Sequence, residues 1–166
     1  MRKVWIFIGI VALMLLCGGL VWERSGLAKS TSPVGTEATQ AVSTSTTSTD
    51  FHTITVAGHS VSVTIANTAS AREKGLGGRA GLAPDEGMLF VFPQDGVYSF
   101  WMKDMRFSID IIWISSAGHI VHIVPNLSPS SYPKAFAAHT PARYVLEVST
   151  GYAHAHGLKI GDMVHL

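Results

Sequence analysis

The chain has 166 residues, with 12 lysines and arginines against 11 aspartates and glutamates, and a formal net charge of +1 at pH 7. From residue 51 onward acidic and basic residues are equal in number and no basic run occurs, which argues against nucleic-acid binding. Cys17 is the only cysteine, so an internal disulfide is excluded and the fold must be held by packing.

The N-terminal segment predicts a membrane anchor. Arg2 and Lys3 precede residues 4–22, an uncharged apolar run that as a helix would be about 28 Å long, close to the hydrocarbon thickness of a bilayer. By the positive-inside rule we expect a signal anchor over residues 1–24 that crosses the cell membrane once, through residues 4–22, and leaves the C-terminal part outside the cytoplasm. The alternative is a signal peptide cleaved near residues 26–28, which would give a secreted or periplasmic protein.

The next segment, residues 25–50, is predicted to be a disordered linker. It is rich in serine, threonine and alanine and has no aromatic residue, so it cannot bury enough apolar surface to order itself. Residues 51–166 are long enough for one globular domain with its own core. We therefore divide the chain into an anchor, a linker and one β-rich domain.

The globular part predicts a mainly β fold. Short runs with apolar alternation, bounded by glycine and proline, indicate strands at residues 52–57, 60–66, 88–92, 97–102, 109–114, 119–124, 143–149 and 163–166. The runs 52–57 and 60–66 are expected to form a hairpin around Gly58-His59, with Val61, Val63 and Ile65 on one face. The run 97–102 is expected to return beside 88–92 from a turn. Residues 70–73 fit a capping box that starts a short helix, and residues 125–142 form a long irregular segment. We expect a compact β-sandwich or barrel-like single domain with one or two short helices.

Several segments resemble family 192 of the domains of unknown function. They are Arg72-Glu73-Lys74-Gly75-Leu76, Gly78-Arg79, Glu86-Gly87-Met88-Leu89-Phe90, Phe100-Trp101-Met102-Lys103, Ile109-Asp110-Ile111-Ile112, Val145-Leu146-Glu147-Val148, Gly151 and Gly161-Asp162. The resemblance covers about residues 54–166 and implies a compact β-sandwich-like domain, often behind an export signal or anchor, with no activity to carry over. The family usually has Asn-Thr after the Phe-Trp-Met-Lys core, where this chain has Asp104-Met105. If that amide and hydroxyl hold a ligand or a turn, the contact is lost or changed in this chain.

Two acids lie inside apolar strands. Asp110 interrupts the run 109–114, and Glu147 interrupts the run 143–149. A buried carboxylate costs several kcal/mol unless it is paired. If the two converge on one cleft, they could perform general acid–base hydrolysis with one pKa raised. The alternative is that each accepts hydrogen bonds from the main chain or from Arg72, Arg79 or Arg143 and braces the sheet.

Aromatic residues concentrate in the same region and predict either ordinary core or a stacking platform for a sugar or another flat ligand. They are Phe90, Tyr98, Phe100, Trp101 and Trp113. No metal or other cofactor is predicted, because the eight histidines form no spaced ligand motif and there is no cysteine cluster. No nucleophile elbow or phosphate-binding glycine loop is present either.

The favoured interpretation is a membrane-tethered extracytoplasmic domain that binds a small molecule, sugar or peptide. The cleft would lie beside the Trp101 and Asp110 strands, with the segment 125–142 as a cover. The ligand-binding residues are expected to be Arg79, Trp101, Lys103, Asp110 and Glu147. The alternatives are an envelope hydrolase that uses Asp110 and Glu147, and a docking scaffold for another envelope protein. Binding is favoured over catalysis.

Overall fold

The computed structural model describes residues 50–166, and these form a mainly β unit. The predicted anchor over residues 4–22 and nearly all of the predicted linker lie outside the described residues. Between residues 50 and 166, no helix is long and apolar enough to cross a membrane.

Short strands dominate this part of the chain, as the alternation of the sequence predicts. They are β1 (His52–Val56), β2 (His59–Ala66), β3 (Glu86–Gly96), β4 (Ser99–Trp101), β5 (Ile109–Ile114), β6 (Ile120–Leu127), β7 (Ala135–Ala137), β8 (Ala142–Ser149) and β9 (Val164–His165). Two short helices accompany them, α1 (Ala69–Lys74) and α2 (Tyr152–Ala155), together with a 3₁₀ turn at Pro129–Ser131.

The main sheet has the strand order β6-β5-β8-β3-β2-β1-β9, and it curls into a half-barrel. Strands β2 and β3 are parallel, and the other neighbours are antiparallel. Strands β4 and β7 pair separately as a two-stranded sheet. The prediction of a mainly β domain with two short helices is therefore confirmed.

The β1–β2 hairpin follows the sequence prediction closely. Its two-residue loop has positive φ at both positions, Ala57 at 47° and Gly58 at 88°, which is the backbone twist that two-residue hairpins require. Along β2, Val61 and Val63 are fully buried, as their alternation predicts.

The predicted return of residues 97–102 beside 88–92 is wrong. Strand β3 continues through Pro93 to Gly96, and β2 and β8 occupy its two edges over residues 86–91. Strand β4 therefore pairs with β7, so that Phe100 lies opposite Phe136. The segment 125–142, expected to be irregular, contains the end of β6, the 3₁₀ turn and β7.

The N-cap of α1 lies two residues before Ser70, the first residue of the predicted capping box. The cap is Thr68, whose hydroxyl oxygen accepts a hydrogen bond from the Ala71 N–H at 3.1 Å. This bond satisfies one of the free N–H groups of the first turn. Gly75, with φ of 49°, ends the helix.

The main sheet has an apolar core on each face. The Trp113 face carries Met88, Phe90, Ile111, Trp113 and Val145. The Leu146 face carries Leu89, Ile112, Ile114, Leu146 and Val148. Because side chains alternate along a strand, every residue of β5 and β8 is assigned to one face or the other, and this decides where the two buried acids point.

Candidate functional site

An open cavity of about 670 Å³ lies over the Trp113 face of the sheet. Strands β3 and β8 contribute to its floor. Helix α1 and the glycine-rich segment after it form one wall, and β4 with residues 103–105 forms the other. Its size falls in the range of pockets that hold small molecules. The side chains that dominate its lining are Phe90, Phe92, Tyr98, Phe100 and Trp101, with Glu147 at the floor.

Glu147 is the buried acid of this cavity. It lies in β8 with Met88 of β3 and Ile111 of β5 opposite it in the ladder, and only 5% of its surface is exposed. Its Oε2 atom is buried and has no hydrogen-bond partner among residues 50–166. Burial raises the pKa of this carboxyl from 4.5 to about 8, and no charged neighbour contributes to the shift. At pH 7 the carboxyl is therefore mostly protonated.

Glycines bring the two walls of the cavity close together. A side chain on Gly77 would lie 3.0 Å from the Lys74 carbonyl oxygen and 3.6 Å from the Asp104 Cβ. The Gly78 N–H donates a hydrogen bond to the Asp104 carbonyl oxygen at 2.9 Å. Asp104 itself has φ of 58°, a conformation that Asp and Asn adopt more readily than most residues. The wall after β4 is thus fixed to the wall after α1 by the main chain.

Arg72 joins α1 to β3. Its guanidinium donates to the Asn67 carbonyl oxygen at 2.7 Å and to the Val91 carbonyl oxygen at 2.9 Å. It also lies 5.2 Å from the centre of the Phe92 ring, within cation–π range. Arg72 therefore holds a wall of the cavity, and its Nη1 donates to two main-chain oxygens.

The aromatic side chains of the lining pack against one another. Phe92 stacks on Tyr98 with ring centroids 3.5 Å apart, and Phe100 meets Phe90 edge to face at 4.9 Å. The Tyr98 hydroxyl donates to the Gln94 carbonyl oxygen at 2.6 Å. These contacts hold the rings in place before any ligand arrives.

An exposed aromatic pair marks the mouth of the cavity. Trp101 is 54% exposed and Tyr132 is 47% exposed, and their ring centroids lie 6.0 Å apart. Lys103 and Asp104, which follow Trp101 in the lining, are also exposed. A ligand at the mouth would meet an indole face and both signs of charge.

The structure brings three of the five predicted ligand-binding residues together and leaves two apart. Trp101, Lys103 and Glu147 line the cavity. Arg79 does not line it and lies instead at a smaller neighbouring pocket, where its Nη2 is 3.5 Å from the Thr64 hydroxyl and its Nη1 is 3.8 Å from a Glu86 carboxylate oxygen.

Asp110 requires a correction, because it points away from the cavity. In the β5–β8 ladder Asp110 lies opposite Val148, whereas Ile111 lies opposite Glu147. The two acids therefore occupy opposite faces of the sheet, and the predicted catalytic pairing of Asp110 with Glu147 is not formed.

Asp110 is instead saturated by main-chain donors. Its Oδ1 accepts from the N–H groups of Asn126 at 2.8 Å and Gly151 at 3.1 Å, and its Oδ2 accepts from Ala153 N–H at 2.8 Å. These bonds tie β5 to a bulge in β6 and to the start of α2. The alternative prediction from the sequence, a carboxylate that braces the sheet, describes Asp110.

Sequence reasoning missed part of the lining and, besides Arg79 and Asp110, offered one more residue that lies elsewhere. Trp113, proposed for the aromatic platform, is fully buried and lies in the core. Phe92, Lys74 and Asp104 were not singled out as site residues but line the cavity. The family-like segments carried a signal only for Lys74, which lies in the segment 72–76, whereas Phe92 and Asp104 lie outside those segments.

No group of three or more potential metal ligands occurs in the part of the chain that the structure describes. Tyr152 Oη is the other buried side-chain atom without a partner in that part. Tyr152 packs with the Leu146-face core, next to His156, and is not part of the cavity lining.

Comparisons with known proteins give a family and a fold. Residues 52–166 match the pattern that defines family 192 of the domains of unknown function, described as "Uncharacterized ACR". A protein of unknown function from Novosphingobium aromaticivorans is 30% identical, with a TM-score of 0.67 over 70% of this chain and 85% of its own. A protein from Sinorhizobium meliloti, provisionally assigned as a transcription regulator, is 33% identical, with a TM-score of 0.64 over 68% of this chain and 89% of its own. No curated protein matches the chain.

Proposed function

We propose, from the premise that the chain belongs to family 192 of the domains of unknown function, that residues 50–166 form a binding domain for a small organic ligand. The ligand would occupy the cavity over the Trp113 face. Its polar group would reach the Glu147 carboxyl, and its body would lie against the aromatic side chains of the lining.

The observation that carries this proposal is the unpartnered Glu147 oxygen. Leaving a buried polar atom without a hydrogen bond costs about 1–3 kcal/mol, more if the group is charged. Such an atom inside a packed core would be a defect, but Glu147 lines a cavity of about 670 Å³. A ligand that donates a hydrogen bond there would remove the penalty, and this gives the site a source of binding free energy.

The aromatic lining supports a flat or apolar ligand body. Five aromatic side chains line the cavity, and only Phe90 among them is fully buried. The others present partly exposed ring surface that a ligand would cover. Burial of that surface would add to affinity at roughly 25 cal/mol per Å² before the cost of immobilisation.

Binding is favoured over the hydrolase alternative. That alternative rested on two carboxylates in one cleft, and Asp110 lies on the other face with three main-chain donors. A transcription-regulator role, suggested by the provisional assignment of the Sinorhizobium protein, is not favoured either. Acidic and basic residues are equal in number from residue 51 onward, so the domain has no net positive charge to attract nucleic acid.

The location is part of the same proposal. The apolar run over residues 4–22, with Arg2 and Lys3 before it, supports a single-pass anchor in the cell membrane with the binding domain outside the cytoplasm. Residues 25–50 would act as a linker that lets the domain meet ligands near the membrane surface.

A nuclear magnetic resonance titration of the full chain in detergent micelles tests the binding proposal. The probes are tryptamine, indole-3-acetamide and indole-3-acetate, which share an indole body and differ in the charge of the head group. At least one probe should shift the amide resonances of residues 72–78 and 99–105, and Trp101→Ala should weaken that probe at least fivefold.

Val97→Ala is the matched control, because Val97 is 59% exposed in the same segment and does not line the cavity. It should leave probe affinity unchanged. Shifts that are absent for all three probes, or that survive equally in Trp101→Ala, would refute the proposed function.

A further inference from the structure

We infer, on the basis of the proposed function, that the ligand of this cavity is an organic cation bearing at least one N–H group, such as an amine or a guanidine, on a flat apolar body. Its cationic head pairs with the Glu147 carboxylate at the floor, and its body lies against the aromatic side chains of the lining. The floor, the walls and the mouth of the cavity each bear on the charge of the ligand.

The floor supplies an acceptor and no cation of its own. Glu147 forms no ion pair within residues 50–166, and Oε2 has no donor there. Its ladder neighbours Met88 and Ile111 are apolar. A ligand cation with an N–H would supply the missing donor and, once the carboxyl has lost its proton, the counter-charge of the carboxylate. Charge-assisted hydrogen bonds of this kind are about twice as strong as neutral ones.

The walls favour positive charge for an independent reason. The faces of Phe, Tyr and Trp rings carry the negative part of the ring quadrupole, so a cation against an accessible ring face is stabilised. The rings of this cavity come from β3 and from residues 98–101. Phe92 already contacts Tyr98 and Arg72, so Trp101, which is 54% exposed, offers the most accessible ring surface. An anion in the same place would face both the rings and the Glu147 carboxyl.

The rim of the cavity carries both signs of charge. Of the basic residues in the lining, Arg72 donates to two main-chain carbonyls and lies against Phe92. The exposed charges that remain are Lys74 and Lys103 on one side of the balance and Glu73 and Asp104 on the other. These cancel in number, and Arg72 keeps its positive charge because main-chain carbonyls are neutral, so the pairing with a cation depends on the Glu147 carboxylate at the floor.

Pairing of the ligand cation with Glu147 requires the carboxyl to lose its proton. In the free protein at pH 7 the Glu147 carboxyl holds a proton, because burial raises its pKa to about 8. An incoming ammonium replaces that proton, which passes to solvent, and the ammonium N–H then donates to the carboxylate. The titratable or charged groups around this carboxyl come from α1, from the segment before β4 and from the turn after it, since the facing residues of β3 and β5 are apolar. They are Arg72, Glu73, Lys74, Tyr98, Lys103 and Asp104.

Calorimetry with the same three indole probes tests the inference on the full chain in detergent. Titrations at pH 7 in two buffers with different ionisation enthalpies measure the protons released on binding. Tryptamine should bind at least tenfold more tightly than indole-3-acetate and should release about one proton per molecule bound, given a carboxyl pKa of about 8. Indole-3-acetamide should release none.

Two variants distinguish the contribution of Glu147 at the floor from that of Asp104 at the mouth. Glu147→Gln should weaken tryptamine at least tenfold, abolish proton release and change indole-3-acetamide by less than threefold. Asp104→Asn, at an exposed position whose φ of 58° suits either residue, should weaken tryptamine about twofold at low salt and leave proton release intact. If Glu147→Gln does not fold, as judged by near-ultraviolet circular dichroism, proton release by the wild type and by Asp104→Asn decides whether the cation pairs with Glu147.

The two proposals fail in different ways. If indole-3-acetamide or indole-3-acetate binds in the cavity as tightly as tryptamine and no proton is released, the cation inference is overturned and the proposed function stands. If no probe shifts the cavity resonances, the proposed function is refuted, and this inference is refuted with it.

Discussion

At the scale of single residues, Glu147 and Asp110 show how the same side-chain chemistry is used in two ways. Asp110 is fully buried and receives three main-chain donors. Glu147 is almost as deeply buried and keeps one oxygen without a donor. The first arrangement stabilises the fold, whereas the second lowers stability and provides a site.

The raised pKa of Glu147 predicts a specific pH dependence of stability. The carboxyl has a pKa of 4.5 in the unfolded chain and about 8 in the folded one, so the folded state holds the proton more tightly. Its contribution to stability is fully present below pH 4.5 and is lost as the pH rises through 8.

Between pH 5.5 and 8.5 the free energy of unfolding of the wild type should fall by about 3 kcal/mol relative to that of Glu147→Gln, which has no titrating group there. Urea unfolding of both proteins at the two pH values, followed by tryptophan fluorescence, provides the measurement. An identical pH dependence for the two proteins would mean that the carboxyl is hydrated or paired in the folded state.

At the scale of elements, Asp110 connects β5 with the β6 bulge and with the start of α2. Asn126, at the bulge, has φ of 56° and directs its N–H to Asp110. Gly151, the residue before α2, has φ of 84° and does the same. The carboxylate thus fixes two unusual turns at once, which explains why an acid is tolerated in a fully buried strand.

Asp110→Asn should destabilise the domain by about 2–4 kcal/mol, because an amide cannot accept at both ends and brings N–H donors toward main-chain N–H groups. Thermal unfolding measures this loss. At a temperature where the variant is folded, its affinity for tryptamine should lie within twofold of the wild type. A loss of affinity without a loss of stability would return Asp110 to the set of ligand-binding residues.

The elements also show what the sequence could predict. The β1–β2 hairpin is local, and the alternation of Val61 and Val63 with the turn at Gly58 was sufficient to predict it. The partner of β4 was not predictable in this way, because its pairing with β7 depends on the occupied edges of β3. Likewise, alternation assigns Asp110 and Glu147 to a face only within their own strands. Whether the two share a face depends on the register between β5 and β8.

At the scale of the whole molecule, the two faces of the half-barrel differ, because one is closed by packing and the other carries the cavity. The Leu146 face is closed by α2, β9 and the residues between them. The Trp113 face is only partly closed by β4 and β7, and the remaining space is the cavity. Five of the family-like segments, which are far apart in sequence, contribute residues to that cavity, whereas those at residues 109–112, 151 and 161–162 do not, so the resemblance gave only part of the site.

The proposed anchor is testable on the whole chain. The full chain should remain in the membrane fraction after an alkaline carbonate wash. Replacing Leu15 and Leu16 by arginine should release it, because each charge at the centre of an apolar span costs about 2.5–3.5 kcal/mol on insertion scales. Val97→Ala is the control and should stay with the membrane. Recovery of the intact wild-type chain in the soluble fraction would contradict the anchor.

The most direct measurement is a carbon-13 titration of the Glu147 carboxyl, with the full chain labelled at glutamate and the resonance assigned by its loss in Glu147→Gln. We predict a midpoint near pH 8 in the free protein and a carboxylate chemical shift at pH 7 once tryptamine is bound. A midpoint close to 4.5, unchanged by every probe, would show an ordinary solvated acid and would contradict the proposed role of Glu147 as the floor of a ligand cavity.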